Sequence, residues 1–259
     1  SLVMRYEDAT LGRTTNTLAS GRSICAGERI GIDISRAGML AMDAVSGQPI
    51  LNEQPYALVL TADGQLSAAL ERSDVFSGQR ISTAEDFTGD ASRTWTFARV
   101  EKRPGSMFDF LVFYNPNPHD SVITITALTS GGPVHIIHTV CDMRRDGLNL
   151  NDTAQLPTEA FGVVVMSRPL LGADESSHRG IVAALSHFDG ATGAGWVALG
   201  HAGTLPTSGV FAGAGAVPGL TTELLLFNPT AATATVEVRA GGGAPTSVDI
   251  PAFATSVRA

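Results

Sequence analysis

The stretch Phe110-Leu111-Val112-Phe113-Tyr114-Asn115-Pro116 returns 113 positions later as Leu224-Leu225-Leu226-Phe227-Asn228-Pro229. An apolar run that stops at Asn-Pro reads as a strand end, because proline has no N–H for the ladder and restricts the residue before it. After each stretch comes an alternating run, Val122-Ile123-Thr124-Ile125-Thr126 and Thr235-Val236-Glu237-Val238-Arg239, and then a glycine turn at Gly131-Gly132 or Gly242-Gly243. Upstream, Trp95-Thr96-Phe97-Ala98 matches Gly209-Val210-Phe211-Ala212, offset by 114. Matches in the same order at nearly one spacing mark an internal repeat.

A third, partial copy lies at the N-terminus. Ala68-Ala69-Leu70-Glu71-Arg72-Ser73-Asp74 aligns with Ala183-Ala184-Leu185-Ser186-His187-Phe188-Asp189 at 115, and Arg29 to Ser35 aligns with Arg145 to Asn151 at 116. Period-2 alternation in short runs between Gly, Pro, Asn and Asp clusters is the signature of half-buried strands. In the middle copy it predicts strands near 94–100, 108–114, 121–128, 133–140, 146–150, 160–167 and 181–188. Seven short strands in about 110 residues suit an antiparallel sandwich. The expected fold is all-β: tandem immunoglobulin-like sandwiches of about 115 residues, dividing the chain at 1–92, 93–203 and 204–259. In that frame copy 1 lacks its opening strands and copy 3 its closing ones. Either the terminal pieces complete each other, or the unit begins one strand later and the sandwiches are permuted. No amphipathic helix is evident, and residues 37–45 suit at most a turn or two.

The order of these segments resembles the bacterial sensory rhodopsin transducer family and related modules repeated in bacterial surface proteins. Trp95-Thr96-Phe97-Ala98, Phe113-Tyr114-Asn115-Pro116, Arg145, Leu150-Asn151, Val165-Met166-Ser167-Arg168-Pro169 and Ile181-Val182-Ala183 through Asp189 carry the resemblance. It implies a β-sandwich that associates with like modules and has no enzymatic activity. The chain departs from the family in its covalent tandem repetition and in the insertion from Gly172 to Gly180, and the tandem form argues against a photoreceptor-transducer role.

Composition narrows the partners. The 259 residues are 44% apolar and 16% charged, ample for a packed core. A net charge of −8 argues against nucleic acid and anionic membranes. Of the 17 basic residues only Lys102 is lysine. No apolar run reaches the length of a membrane-spanning helix. The opening Ser1-Leu2-Val3-Met4-Arg5-Tyr6 lacks the pattern of a signal peptide and reads like a strand interior, as if excised from a longer protein. An extracellular or cell-surface location is favoured over the cytoplasm.

No residue pattern reaches a catalytic constellation, and no cofactor is expected. Cys25 and Cys141 occupy equivalent places in two copies, too far apart for a disulfide. The six histidines show no metal-ligand spacing, and His135 and His138 fall on opposite faces of one strand. His187 and Asp189 share a face and suit a cation–carboxylate contact at a module surface, with Arg72 and Asp74 standing in their places in copy 1. Asp174, Glu175 and His178 have metal-ligating chemistry but read as a solvated loop. The segment from Gly213 to Gly219 lacks the Lys-Ser/Thr of a phosphate loop. Asn151-Asp152-Thr153 matches a glycosylation sequon.

The expected role is therefore structural or adhesive, through association with itself or with like sandwich modules. The alternative is a carbohydrate- or small-ligand-binding module. Sugar platforms need exposed rings, and Trp196 is the candidate, since Trp95 sits in a strand as though in the core.

Overall fold

The computed structural model describes residues 1–7, 15–19, 21, 23–32, 43–47, 55–76, 79–211, 223–240 and 242–258. The helical turn expected over 37–45 lies outside these up to residue 42, and so does the 213–219 loop. Among the described residues no α-helix occurs. Among the described residues eighteen strands form, in chain order: β1 (Leu2–Tyr6), β2 (Thr15–Ala19), β3 (Tyr56–Leu60), β4 (Ala69–Phe76), β5 (Gln79–Asp86), β6 (Thr94–Glu101), β7 (Met107–Tyr114), β8 (Ser121–Thr129) and β9 (Gly132–Val140). They continue as β10 (Arg145–Asn149), β11 (Ala160–Pro169), β12 (Val182–Asp189), β13 (Ala194–Leu199), β14 (His201–Ala202), β15 (Leu224–Asn228), β16 (Ala234–Val238), β17 (Thr246–Ile250) and β18 (Ala254–Arg258). The seven strands predicted between 94 and 188 are all present. β13 and β14 were not expected. Residues 29–32, aligned with β10, form no strand.

Two antiparallel sheets enclose the main core, one ordered β14-β6-β11-β8-β9 and the other β10-β7-β12-β13. Alternation decides which side chains enter it. Leu111 and Phe113 come from β7, Ile123, Ile125 and Ala127 from β8, Phe161, Val163 and Val165 from β11, and Ala183 and Leu185 from β12. β6 contributes Trp95, Phe97 and Val100, which breaks the period of two. Val100 pairs with Phe161 and Phe97 with Val163, so Ala98 and Arg99 together oppose Gly162. This β-bulge inserts one residue and returns Val100 to the core face. The indole Nε1 of buried Trp95 donates to Ile181 O at 2.7 Å, so the polar atom of the largest core side chain is satisfied.

The chain crosses from one sheet to the other at Asn115, whose side chain is fully buried. Its Nδ2 donates to the carbonyls of His119 (2.9 Å), Val140 (3.1 Å) and Cys141 (3.1 Å). Its Oδ1 accepts from Asn117 N (3.0 Å), Asn117 Nδ2 (2.7 Å) and Ser121 Oγ (2.9 Å). Asn228 repeats this arrangement. Its Nδ2 donates to Ala232, Ile250 and Pro251 carbonyls at 2.7, 3.1 and 3.0 Å, and its Oδ1 accepts from Thr230 N and Oγ1.

Strand pairings recur too. β7 pairs with β10 as β15 does with β18, and β8 pairs with β9 as β16 does with β17. β8 lies between β9 and β11, and β1 lies between β2 and β3. β12–β13 and β4–β5 are both hairpins. Around β1, Met4 and Tyr6 form a second small core with Leu18, Tyr56 and Leu58.

The flanking segments pack on different sheets of the main core. On one side β1 lies against β10, and Glu7 pairs with Arg145. On the other, β15 lies against β6 and β18 against β11. There the ring of Phe227 sits where a Cβ on Gly162 would come within 2.1 Å of it. The bulge serves this contact, since Ala98 O accepts from Thr255 Oγ1 (3.2 Å) and Arg99 pairs with Glu223 (3.5 Å).

Two predictions follow from these contacts. Asn115→Asp is expected to destabilise the fold by on the order of 3 kcal/mol at neutral pH, because a carboxylate cannot donate to three carbonyls. Protonation restores a donor, so the buried carboxyl's folded-state pKa is raised and the deficit shrinks as pH falls, as urea unfolding at pH 5 and pH 8 would measure. Gly162→Ala is expected to loosen β15 and β18, seen as faster amide exchange there. Adding Phe227→Ala should recover much of the protection.

Candidate functional site

The residues singled out from the sequence gather at one end of the four-stranded sheet, with a carboxylate that the sequence reading missed. Asp109 interrupts the apolar run of β7 at a core-facing position and is 1% exposed. A carboxylate there needs both oxygens satisfied. Oδ2 accepts the backbone N–H of Glu101 at 2.6 Å, and Oδ1 lies 2.6 Å from His187 Nδ1. That contact orients the imidazole ring. His187 pairs in register with Trp196, and their rings stack at 5.0 Å with 15° between planes. Trp196, the exposed ring the sequence offered, is 42% exposed, and the edge strand β13 that carries it was not expected.

The expected pairing of His187 with Asp189 is corrected here. Asp109 takes the imidazole, and Asp189 closes the turn after β12 by accepting from Ala191 N (2.8 Å) and Thr192 Oγ1 (2.6 Å). The Thr192 hydroxyl and the Ala191 N–H hold the Asp189 carboxyl below its ordinary value. A strand end is where an aspartate finds free backbone donors, and a turn won this one.

Arg72 has its guanidinium 5.2 Å above the Phe188 ring, a cation–π contact between β4 and β12. Phe188 in turn meets Phe110 edge-on at 6.1 Å. Asp74 stands opposite Ile81 in the β4–β5 hairpin, and its side chain lies outside the described residues. Leu70, Arg72, Thr83 and Glu85 of the hairpin face Ser186 and Val197 across a cavity of about 30 Å³. That is space for about one water, far below a sugar ring. Burial pushes the Glu85 carboxyl up, with Arg72 opposing.

Around Asp109 the charges are already spent. Glu101 pairs with Arg99 (3.1 Å) and with Arg103. Lys102 is buried and donates to Thr153 O (2.7 Å) and Leu156 O (3.0 Å). The Asp109–His187 pair orients the imidazole beside an exposed indole. Cys25 and Cys141 are exposed free thiols. His135 and His138 do lie on opposite faces: one contacts Thr126, and the other Asp146 at 2.8 Å.

The insertion is largely solvated, as expected, with Asp174 to Ser177 and Arg179 exposed. Asp174 caps a short 3-10 turn over Glu175–Ser177, and Glu175 pairs with Arg93 at 2.7 Å. His178 is 4% exposed.

No family model matches the chain, and no curated protein matches it. Among solved structures, the chain is similar to one titled as the crystal structure of Thermotoga maritima 1070 (18% identity, TM-score 0.36), covering 44% of this chain and 96% of that one. It is also similar to the Anabaena sensory rhodopsin transducer (20% identity, TM-score 0.30), covering 38% of this chain and 83% of that one.

Proposed function

We propose that this chain is a non-catalytic structural or adhesive segment of a bacterial surface protein. Its units (1–92, 93–203 and 204–259) are tandem immunoglobulin-like sandwiches that work by docking on one another and on like modules. The observation that carries this reading is a contact between neighbouring segments that uses the same kinds of strand twice. β1, flanked by β2 and β3 as β8 is by β9 and β11, meets the β7–β10 pair through Glu7–Arg145. β6 and β11 meet β15 and β18, the pair matching β7 and β10, through Phe227 on Gly162 and Thr255 on Ala98. Polar side chains conserve turns and docking contacts here, and a heterologous contact of this kind can continue from one unit to the next.

A second reading, a carbohydrate- or small-ligand-binding module, is favoured by one feature only: the Trp196 indole, half-exposed and held flat against His187. Stacked aromatic faces on loops and edges are the usual sugar platforms.

Light scattering and native mass spectrometry across a wide concentration range test the first reading. Concentration-dependent association, or capture of like modules, is expected. A strictly monomeric chain indifferent to both would count against it. For the second, Trp95 is only 2% exposed, so ligand-induced fluorescence changes report on Trp196. Binding on a glycan array that Trp196→Ala abolishes, with unfolding unchanged, would establish it, and a blank array would end it.

A further inference from the structure

The insertion is tied on one side to the start of β6 and on the other to the β7–β8 corner. Arg93 donates to the carbonyls of Glu175 (2.6 Å) and His178 (3.0 Å). Asn117 accepts from Arg179 N (2.8 Å) and donates to Gly180 O (2.8 Å). Gly180, at φ +88°, comes so close to Ser92 that a Cβ would lie 2.2 Å from its carbonyl carbon. The corner opposite is fixed by Asn115, which holds the carbonyl of His119.

These anchors bring two imidazoles side by side, 5.7 Å between centroids and tilted by 40°. His178 Nε2 lies 3.3 Å from Ser167 Oγ, while its Nδ1 is buried without a hydrogen-bond partner. His119 Nε2 is also buried without one. Two orphaned ring nitrogens in adjacent rings call for an occupant, since buried polar atoms are nearly always satisfied by protein, water or an ion. Neutral imidazole suits zinc, copper and nickel, and not magnesium or calcium.

We infer that His119 Nε2 and His178 Nδ1 form a binding site for one divalent transition-metal ion of the zinc–copper class. Among the described residues no third His, Cys, Asp or Glu completes the set, so the site offers two protein ligands. The polar contacts of Arg93, Asn115 and Asn117 act as the supporting shell that fixes both loops before the ion arrives.

The test uses the full chain, stripped with a chelator and titrated with zinc or copper salts alone by calorimetry. One saturable site is expected, and His119→Gln should weaken it by at least about tenfold, no less than the loss of a supporting-shell partner costs. His178→Gln should do the same if that buried substitution still folds. His119→Gln keeps the proposal testable in either case, because the bond from Asn115 goes to the His119 backbone carbonyl. His135→Gln should leave binding unchanged, and copper should show nitrogen hyperfine coupling that His119→Gln reduces. Zinc should raise the unfolding temperature of the wild type and not of His119→Gln. Absence of saturable binding, or binding that survives His119→Gln at full strength, would overturn the site and leave a trapped water between the rings.

Discussion

The sandwich depends on one amide. At the end of β7 the chain must leave the four-stranded sheet and enter β8 of the five-stranded one, and crossing layers strands backbone groups away from either ladder. Asn115 answers that need by acting as a piece of backbone in side-chain form. It donates to carbonyls at the corner and at the end of β9, and it accepts from the returning chain. The same side chain thus sets where β7 stops, where β8 starts and where β9 ends. Asn228 does this again between β15, β16 and β17.

This explains why the fold was largely legible and the polar contacts largely were not. Alternation and the Asn-Pro punctuation are local signals, and both report on the half-buried pleat that a sandwich requires. β13 escaped because Gly193-Ala194-Gly195 precedes its only bulky residues, and β14 because two residues carry no period. The bulge at Ala98–Arg99 was equally invisible: it shows only when β6 is laid against β11.

The candidate site failed for a different reason. His187 and Asp109 are 78 positions apart, and nothing in periodicity pairs residues across two strands of unknown order. The trace was there in Asp109 itself, a charge at a core position within Met107-Phe108-Asp109-Phe110. His119 and His178 illustrate the same limit. A strand corner and an inserted loop meet only once the sheets have closed, so ligand spacing along the chain had no bearing on them. Trp196 was legible as an exposed ring, though not its edge strand, from its small, glycine-rich neighbours.

The burial of Lys102 reaches beyond the fold. With that side chain enclosed by two carbonyls, every positive side chain left at the surface is a guanidinium, apart from any protonated imidazole. Guanidinium keeps its charge at any pH the protein survives and grips carboxylates through a planar fork. Surface attraction on this molecule is therefore alkali-proof and directional, and reagents that tag amines will pass over its faces almost without a mark.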